Sequence, residues 1–160
     1  MPLDSKYTPI YLNDHLAGST VGLSLAKRTL GSNRGTQFEP FLERLAKEID
    51  EDRETLREIM RALGAGEDPV KKIVPLVAER AGRLKLNGSL FSYSPLSRLV
   101  EFEGLALGVT GKLGLWVALQ QADDARLAAF DLAALEARAR AQQDGIEDAR
   151  EEAARIALTG

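Results

Sequence analysis

The chain predicts an all-α protein, and three observations carry that reading. Apolar residues recur at helical spacing over most of the length, no stretch alternates polar and apolar residues as a strand would, and Pro and Gly fall where helices start and stop. Three prolines follow good N-cap residues, in Thr8-Pro9, Asp68-Pro69 and Ser94-Pro95. At the first helical position the missing N–H is one that no helix uses, and the ring pre-sets φ. Thr36 and Glu39, within TQFE, have capping-box spacing, with Pro40 still inside the permissive first turn. Gly31, Gly64 to Gly66 and Asn87-Gly88 supply left-handed stops. Five helices result, at about 9–30, 37–63, 69–86, 95–121 and 131–158.

Periodicity then assigns the inner faces. In the first helix Leu12, Leu16, Ser19, Leu23, Ala26 and Leu30 form the seam, with Tyr11, His15, Gly18, Gly22 and Leu25 beside it. The second has Phe38, Leu42, Leu45, Ile49, Asp52, Leu56, Ile59 and Leu63, a bundle seam interrupted only by Asp52. The helix at 95–121 carries Leu99, Phe102, Ala106, Val109, Leu113 and Trp116, flanked by Gly104, Gly108 and Gly111. Each interior Gly costs about 1 kcal/mol against Ala, so glycine stripes on two helices predict a close approach between them. The last helix has Leu132, Leu135, Ala139, Gln142, Ile146, Ala149 and Ala153 as its inner row.

Composition limits the function classes. At 160 residues the chain is one ordinary domain, and such a domain buries roughly two-thirds of the surface its unfolded chain exposes. Zero cysteines exclude a disulfide scaffold and any thiolate metal site, and point to a reducing, cytoplasmic setting. The start, MPLDSKYTPIYL, has no basic region followed by an apolar core, so no signal peptide is expected. Net charge is −3, with interspersed charges of both signs, which disfavours nucleic acid as a partner. The run Gly104–Leu119, interrupted by Lys112, is too short and too charged for a membrane span, and reads as a bundle's central helix or as one shared with a subunit interface.

Connection lengths choose the topology. The four long helices form two hairpins, first with second and 95–121 with 131–158, joined by a segment that contains the shorter helix 69–86. With one such long crossover, the chain resembles the ferritin-like superfamily in helix number, helix lengths and crossover, over nearly all of its length. The stretch YLNDHLAG, Tyr11–Gly18, is also similar to openings of small bacterial proteins. The resemblance implies a four-helix bundle with a helical crossover, the helix at 95–121 running antiparallel to the first.

The chain departs from that superfamily at its metal site. Di-iron members bring together four carboxylates and two imidazoles, the latter from Glu-x-x-His pairs. Here no Glu-x-x-His occurs. The nearest counterparts, Asp50-Glu-Asp-Arg53 and Glu147-Asp-Ala-Arg150, put arginine where the imidazole should be. An arginine cannot ligate a cation, so no cofactor and no metal are expected.

The single histidine raises a further question. With the first helix up, the second and the 95–121 helix down, and 1.5 Å of rise per residue, His15, Asp52 and Lys112 come to similar heights. A buried polar cluster is expected, with Asp52 paired to Lys112 or His15 and joined by Gln142, because a lone buried carboxylate costs several kcal/mol. The same cluster, with Glu103, would serve a small ligand, or a single metal held by His15, Asp52 and Glu103. Glu101 and Glu103 are two apart and face different sides, a poor geometry for an acid–base pair. Lys71, Lys72, Arg80, Arg83 and Lys85 form either a solvated face or a basic strip for an anionic partner. Ser94 reads as a cap. No phosphate-binding glycine loop, nucleophile elbow or His-Glu-x-x-His is present.

Two functions therefore stay open. The first is a non-catalytic, ferritin-like interaction or stress-related module. The second is a metal- or ligand-binding protein or enzyme using the central cluster. A filled core favours the first and an open space around His15 and Asp52 the second. The helix at 95–121 carries more apolar surface than one inner row consumes, in Leu105, Leu107, Leu115, Val117 and Leu119. Helix 69–86 with Leu90, Phe91 and Tyr93 is expected to cover that surface, with a modest homodimer contact beside it and room for a protein partner.

Overall fold

A computed structural model describes residues 3–68 and 92–159. The expected helix 69–86, its Asp68-Pro69 start, the Asn87-Gly88 stop, the basic strip and the cover by Leu90 and Phe91 lie outside the described residues. Among those described, the chain is all-helical and contains no strand. The helices are α1 (Thr8–Ser32), α2 (Glu39–Ala62), α3 (Pro95–Gln121) and α4 (Leu132–Thr159), with a 3₁₀ turn at Ala125–Leu127 before α4.

The ends follow local chemistry, with corrections. Ser94 caps α3 through a reciprocal pair: its Oγ accepts from Ser97 N at 3.1 Å, and its own N–H donates to Ser97 Oγ at 3.3 Å. The start of α2 differs from the expected box. Thr36 Oγ1 donates to Asn33 O, Glu39 Oε2 accepts from Gly35 N, and Phe38 stands at the N-cap without a side-chain bond. Gly31 is not a stop, because α1 runs through it and the left-handed residue is Gly35, at φ 74°. Gly64, at φ 69°, does end α2. Ala65 N bonds Met60 O and Gly64 N bonds Arg61 O, the paired bonds of a Schellman motif.

The core has two apolar clusters. One joins Leu23 and Ala26 of α1, Leu42 and Leu45 of α2, Leu99 and Phe102 of α3, and Ile146 and Ala153 of α4. The other joins Leu12 and Leu16, Leu56 and Ile59, Leu115 and Trp116, and Leu135 and Ala139. Late α1 thus meets early α2, early α3 and late α4. It follows that α1 and α4 run one way and α2 and α3 the other. The bracketing residues agree: Asp68 N bonds Asn13 near the start of α1, and Asn33 beyond its end donates to Tyr93 Oη. The helices pack as α1–α2, α3–α4 and α1–α3. Between α2 and α4 the contact is made by long side chains, with Phe41 against Gly145 and Arg138 and Gln142 reaching α2.

Every predicted seam residue of α2 is buried, Asp52 among them. In α4 the inner row is buried from Leu135 to Ala153, and Leu132 only partly. For α3 the inner face is wider than one row. Leu105, Leu115 and Leu119 are buried although they lie off it, while Leu113 is half-buried, because α1 and α4 pack on two sides of this helix. Each such leucine contributes about 1.5–3 kcal/mol by burial. Leu107 remains 70% exposed. By length and composition α3 is long and apolar enough to cross a membrane, with a mean hydropathy of 1.3 over its most apolar stretch.

Candidate functional site

Between the two apolar clusters lies a polar layer centred on Asp52, whose side chain is 2% exposed. Its carboxylate accepts from Lys112 Nζ of α3 at 2.5 Å and from Arg138 Nη2 of α4. Gln142, one turn after Arg138 and so on the same face of α4, accepts from Lys112 and donates to Glu48 Oε2 at 2.9 Å. Arg138 also donates to Glu51 at 2.9 Å. Two helices, α3 and α4, thus supply two cations and a carboxamide to one buried carboxylate on α2. A charge removed from water stands only when so satisfied. Burial pushes the Lys112 ammonium below its ordinary pKa, and the adjacent Asp52 carboxylate opposes that shift.

One wall of this layer is open. A cavity of ≈ 210 Å³ lies between α1, α2 and α3, lined by His15, Asp52 and Lys112 together with Leu56, Leu105 and Trp116. Gly18 and Gly22 of α1 and Gly108 and Gly111 of α3 also line it. A Cβ added at any of these four glycines would meet no neighbouring atom of the described residues within 4 Å. The expected close approach at the stripe is therefore wrong there. It occurs only at Gly104, where a Cβ would stand 3.0 Å from Leu25 Cδ2. Beyond that point the missing side chains leave space rather than bring backbones together.

The sequence-predicted residues divide accordingly. His15, Asp52 and Lys112 line one cavity, and Asp52 pairs with Lys112 rather than with His15. His15 is half-buried, its ring edge-on to Tyr11 at 4.6 Å between centroids. Burial lowers its pKa, with Asp14 pulling the other way, so the imidazole is mainly neutral near pH 7. Glu103 is not brought to the others. It lies on an exposed face of α3, where its charge acts on Arg150. Among the described residues no three His, Asp or Glu side chains gather as metal ligands, so the trio of His15, Asp52 and Glu103 is not assembled.

Arg138 escaped the sequence reading, and Glu101, which that reading set aside as an acid–base partner, has another place. Arg138 sits one turn before Gln142, a spacing that would have marked it. Glu101 is buried at the other end of α3, where it accepts from Arg28 Nε at 3.0 Å and from Tyr93 Oη at 2.9 Å. Tyr93 in turn accepts from Asn33, which accepts from Arg98, and the Arg98 guanidinium lies over the Phe38 ring at 5.0 Å. Desolvation, with Glu101 adding to it, pushes the Tyr93 hydroxyl up to about 12, so it stays a donor. This second network ties the start of α3 to the end of α1. No protein-family model, curated protein or solved structure matches the chain, and its functional reading rests on the geometry just described.

Proposed function

We propose that the protein is a ferritin-like helical bundle that binds a small ligand in the cavity between α1, α2 and α3. One observation carries the reading: among the described residues nothing fills the space around His15 and Asp52, at ≈ 210 Å³. Protein interiors are close-packed, and a bundle serving only as a rigid module would fill this space with side chains. Here glycines line it, each at about 1 kcal/mol of helix stability against Ala. The ferritin-like part is supported by the helix directions, with α1 and α4 parallel and each packed beside antiparallel neighbours. Binding fits the site better than catalysis does. Asp52 is engaged by two cations and is a poor general base, and no hydrogen bond among the described residues orients His15.

Trp116 is the chain's only tryptophan and lines the cavity, so its fluorescence reports occupancy. Titration with ethylbenzene is expected to change that emission saturably, and Gly108→Leu, which fills the cavity, to abolish the change. Emission that responds to no ring-sized probe, apolar or with a polar head group, would reject the reading. A second reading, an interaction module working as a homodimer, is favoured by the exposed Tyr7, Ile10 and Leu107. Sedimentation at micromolar concentration as a single species of one chain's mass would remove it.

A further inference from the structure

We infer that the cavity takes a small monocarboxylic acid with a compact apolar body of about the size of a benzene ring bearing a short side chain. The inference rests on the ligand-binding reading above and gives it a chemical class.

Size comes first. An apolar cavity of about 150 Å³ in another protein holds one benzene, and the ≈ 210 Å³ here leaves room for a ring with a short side chain. The lining decides the body. Leu56, Leu105, Leu115, Val109 and Trp116 form apolar walls, and the glycines add backbone without polar side chains.

The unused hydrogen-bonding capacity decides the head group. Asp52 is the one buried carboxylate in the wall, and it already accepts from Lys112, Arg138 and, at 3.5 Å, Gln142. It has little left to offer a cation. The cations keep donors. An ammonium has three N–H bonds, and Lys112 gives one to Asp52 and one to Gln142. Arg53, also in the wall, uses Nε on Thr20 and Nη1 on Glu54, which leaves Nη2 without a partner among the described residues. The neutral His15 adds a further N–H. Asp14, at the exposed edge of the wall, and one nitrogen of a neutral His15 can accept, but the less exposed charged groups with open valence, Lys112 and Arg53, are donors, and a carboxylate is the small acceptor that meets such donors most strongly. A cationic ligand would face Lys112 and Arg53, and a purely apolar one would leave the third Lys112 donor desolvated and unmet.

Calorimetric titration of the wild-type chain with phenylacetate, phenylacetamide and ethylbenzene tests this, since the three share a body and differ in head group. Phenylacetate is expected to bind about tenfold or more tighter than either of the others, a gap of ~1.4 kcal/mol. Lys112→Met is expected to weaken phenylacetate binding and to tighten ethylbenzene binding, which no longer leaves a donor unmet, so that the preference is erased. If ethylbenzene binds and phenylacetate shows no preference, the acid class is overturned while the cavity remains a ligand site. If none of the three binds, the ligand-binding reading falls with it. The wild-type comparison decides the head group even if Lys112→Met does not fold.

Discussion

The interface between α1 and α3 is closed at one end and open at the other. At the closed end Leu25 packs onto Gly104, Arg28 reaches the buried Glu101, and Asn33 holds Tyr93. At the open end Gly18 and Gly22 face a cavity with Gly108 and Gly111. The same residue type does opposite things along one pair of helices. At Gly104 the missing side chain admits a neighbour, whereas at the other four positions it leaves room that no described residue takes. A glycine stripe therefore marks where side chains are absent, and neighbouring residues decide whether backbone, side chain or space replaces them. Each end also holds a buried carboxylate. Glu101 is met by a half-exposed arginine and a tyrosine, Asp52 by a buried lysine and an arginine.

The contrast breaks most sharply at Asp52. Asp52→Leu leaves the buried Lys112 without its counter-charge, and loss of one partner of such a pair costs about 3–5 kcal/mol. Urea unfolding should register that loss, and an unchanged midpoint would mean that Lys112 reaches water by another route. At the closed end, Gly104→Val forces methyl groups into Leu25 and should cost about 1–3 kcal/mol by overpacking. At the open end the sign reverses. Gly18→Ala and Gly108→Ala should each raise stability by about 0.5–1 kcal/mol, since the added Cβ touches nothing and helix propensity improves. Melting temperatures of these three variants, measured together, test the contrast, and a stabilising Gly104→Val beside destabilising alanines would invert it.

The smallest effect is in pH. Burial lowers the folded-state pKa of His15 below its ordinary 6.5. Below pH 6.5 the unfolded chain then binds more protons than the folded one. The His15 contribution is present above that pH and is lost as pH falls toward the folded value. Between pH 7.5 and 5 the wild-type protein should lose more stability than His15→Gln, by a slope of less than about one proton. Equal slopes would place His15 in water.

How far the sequence went differs from helix to helix. The seam of α2 was legible, because the helix is amphipathic and one face meets the core, so its step of three and four names most of its buried residues, Asp52 included, with Ala46 and Met60 left out. α4 was nearly as clear. α3 was not, because it is apolar almost all round, and no period tells which of Leu105, Leu107 and Leu115 faces a neighbour. Height along the bundle brings His15, Asp52 and Lys112 together from the sequence alone, since rise per residue is fixed by the helix itself. Angle around the axis was not fixed by anything local at Glu103, which turned outward to solvent while Glu101 turned inward to Arg28.

By itself the sequence determined the all-α class, the positions of the described helices to within a few residues, and a polar layer in the core, because hydrophobic period and capping chemistry act within one helix. Only the tertiary structure decided that Asp52 meets Lys112 and Arg138, that Glu101 is buried, and that the glycines of α1 and α3 border a cavity. These depend on the distance and rotation between helices, which many side chains set jointly and no single stretch encodes.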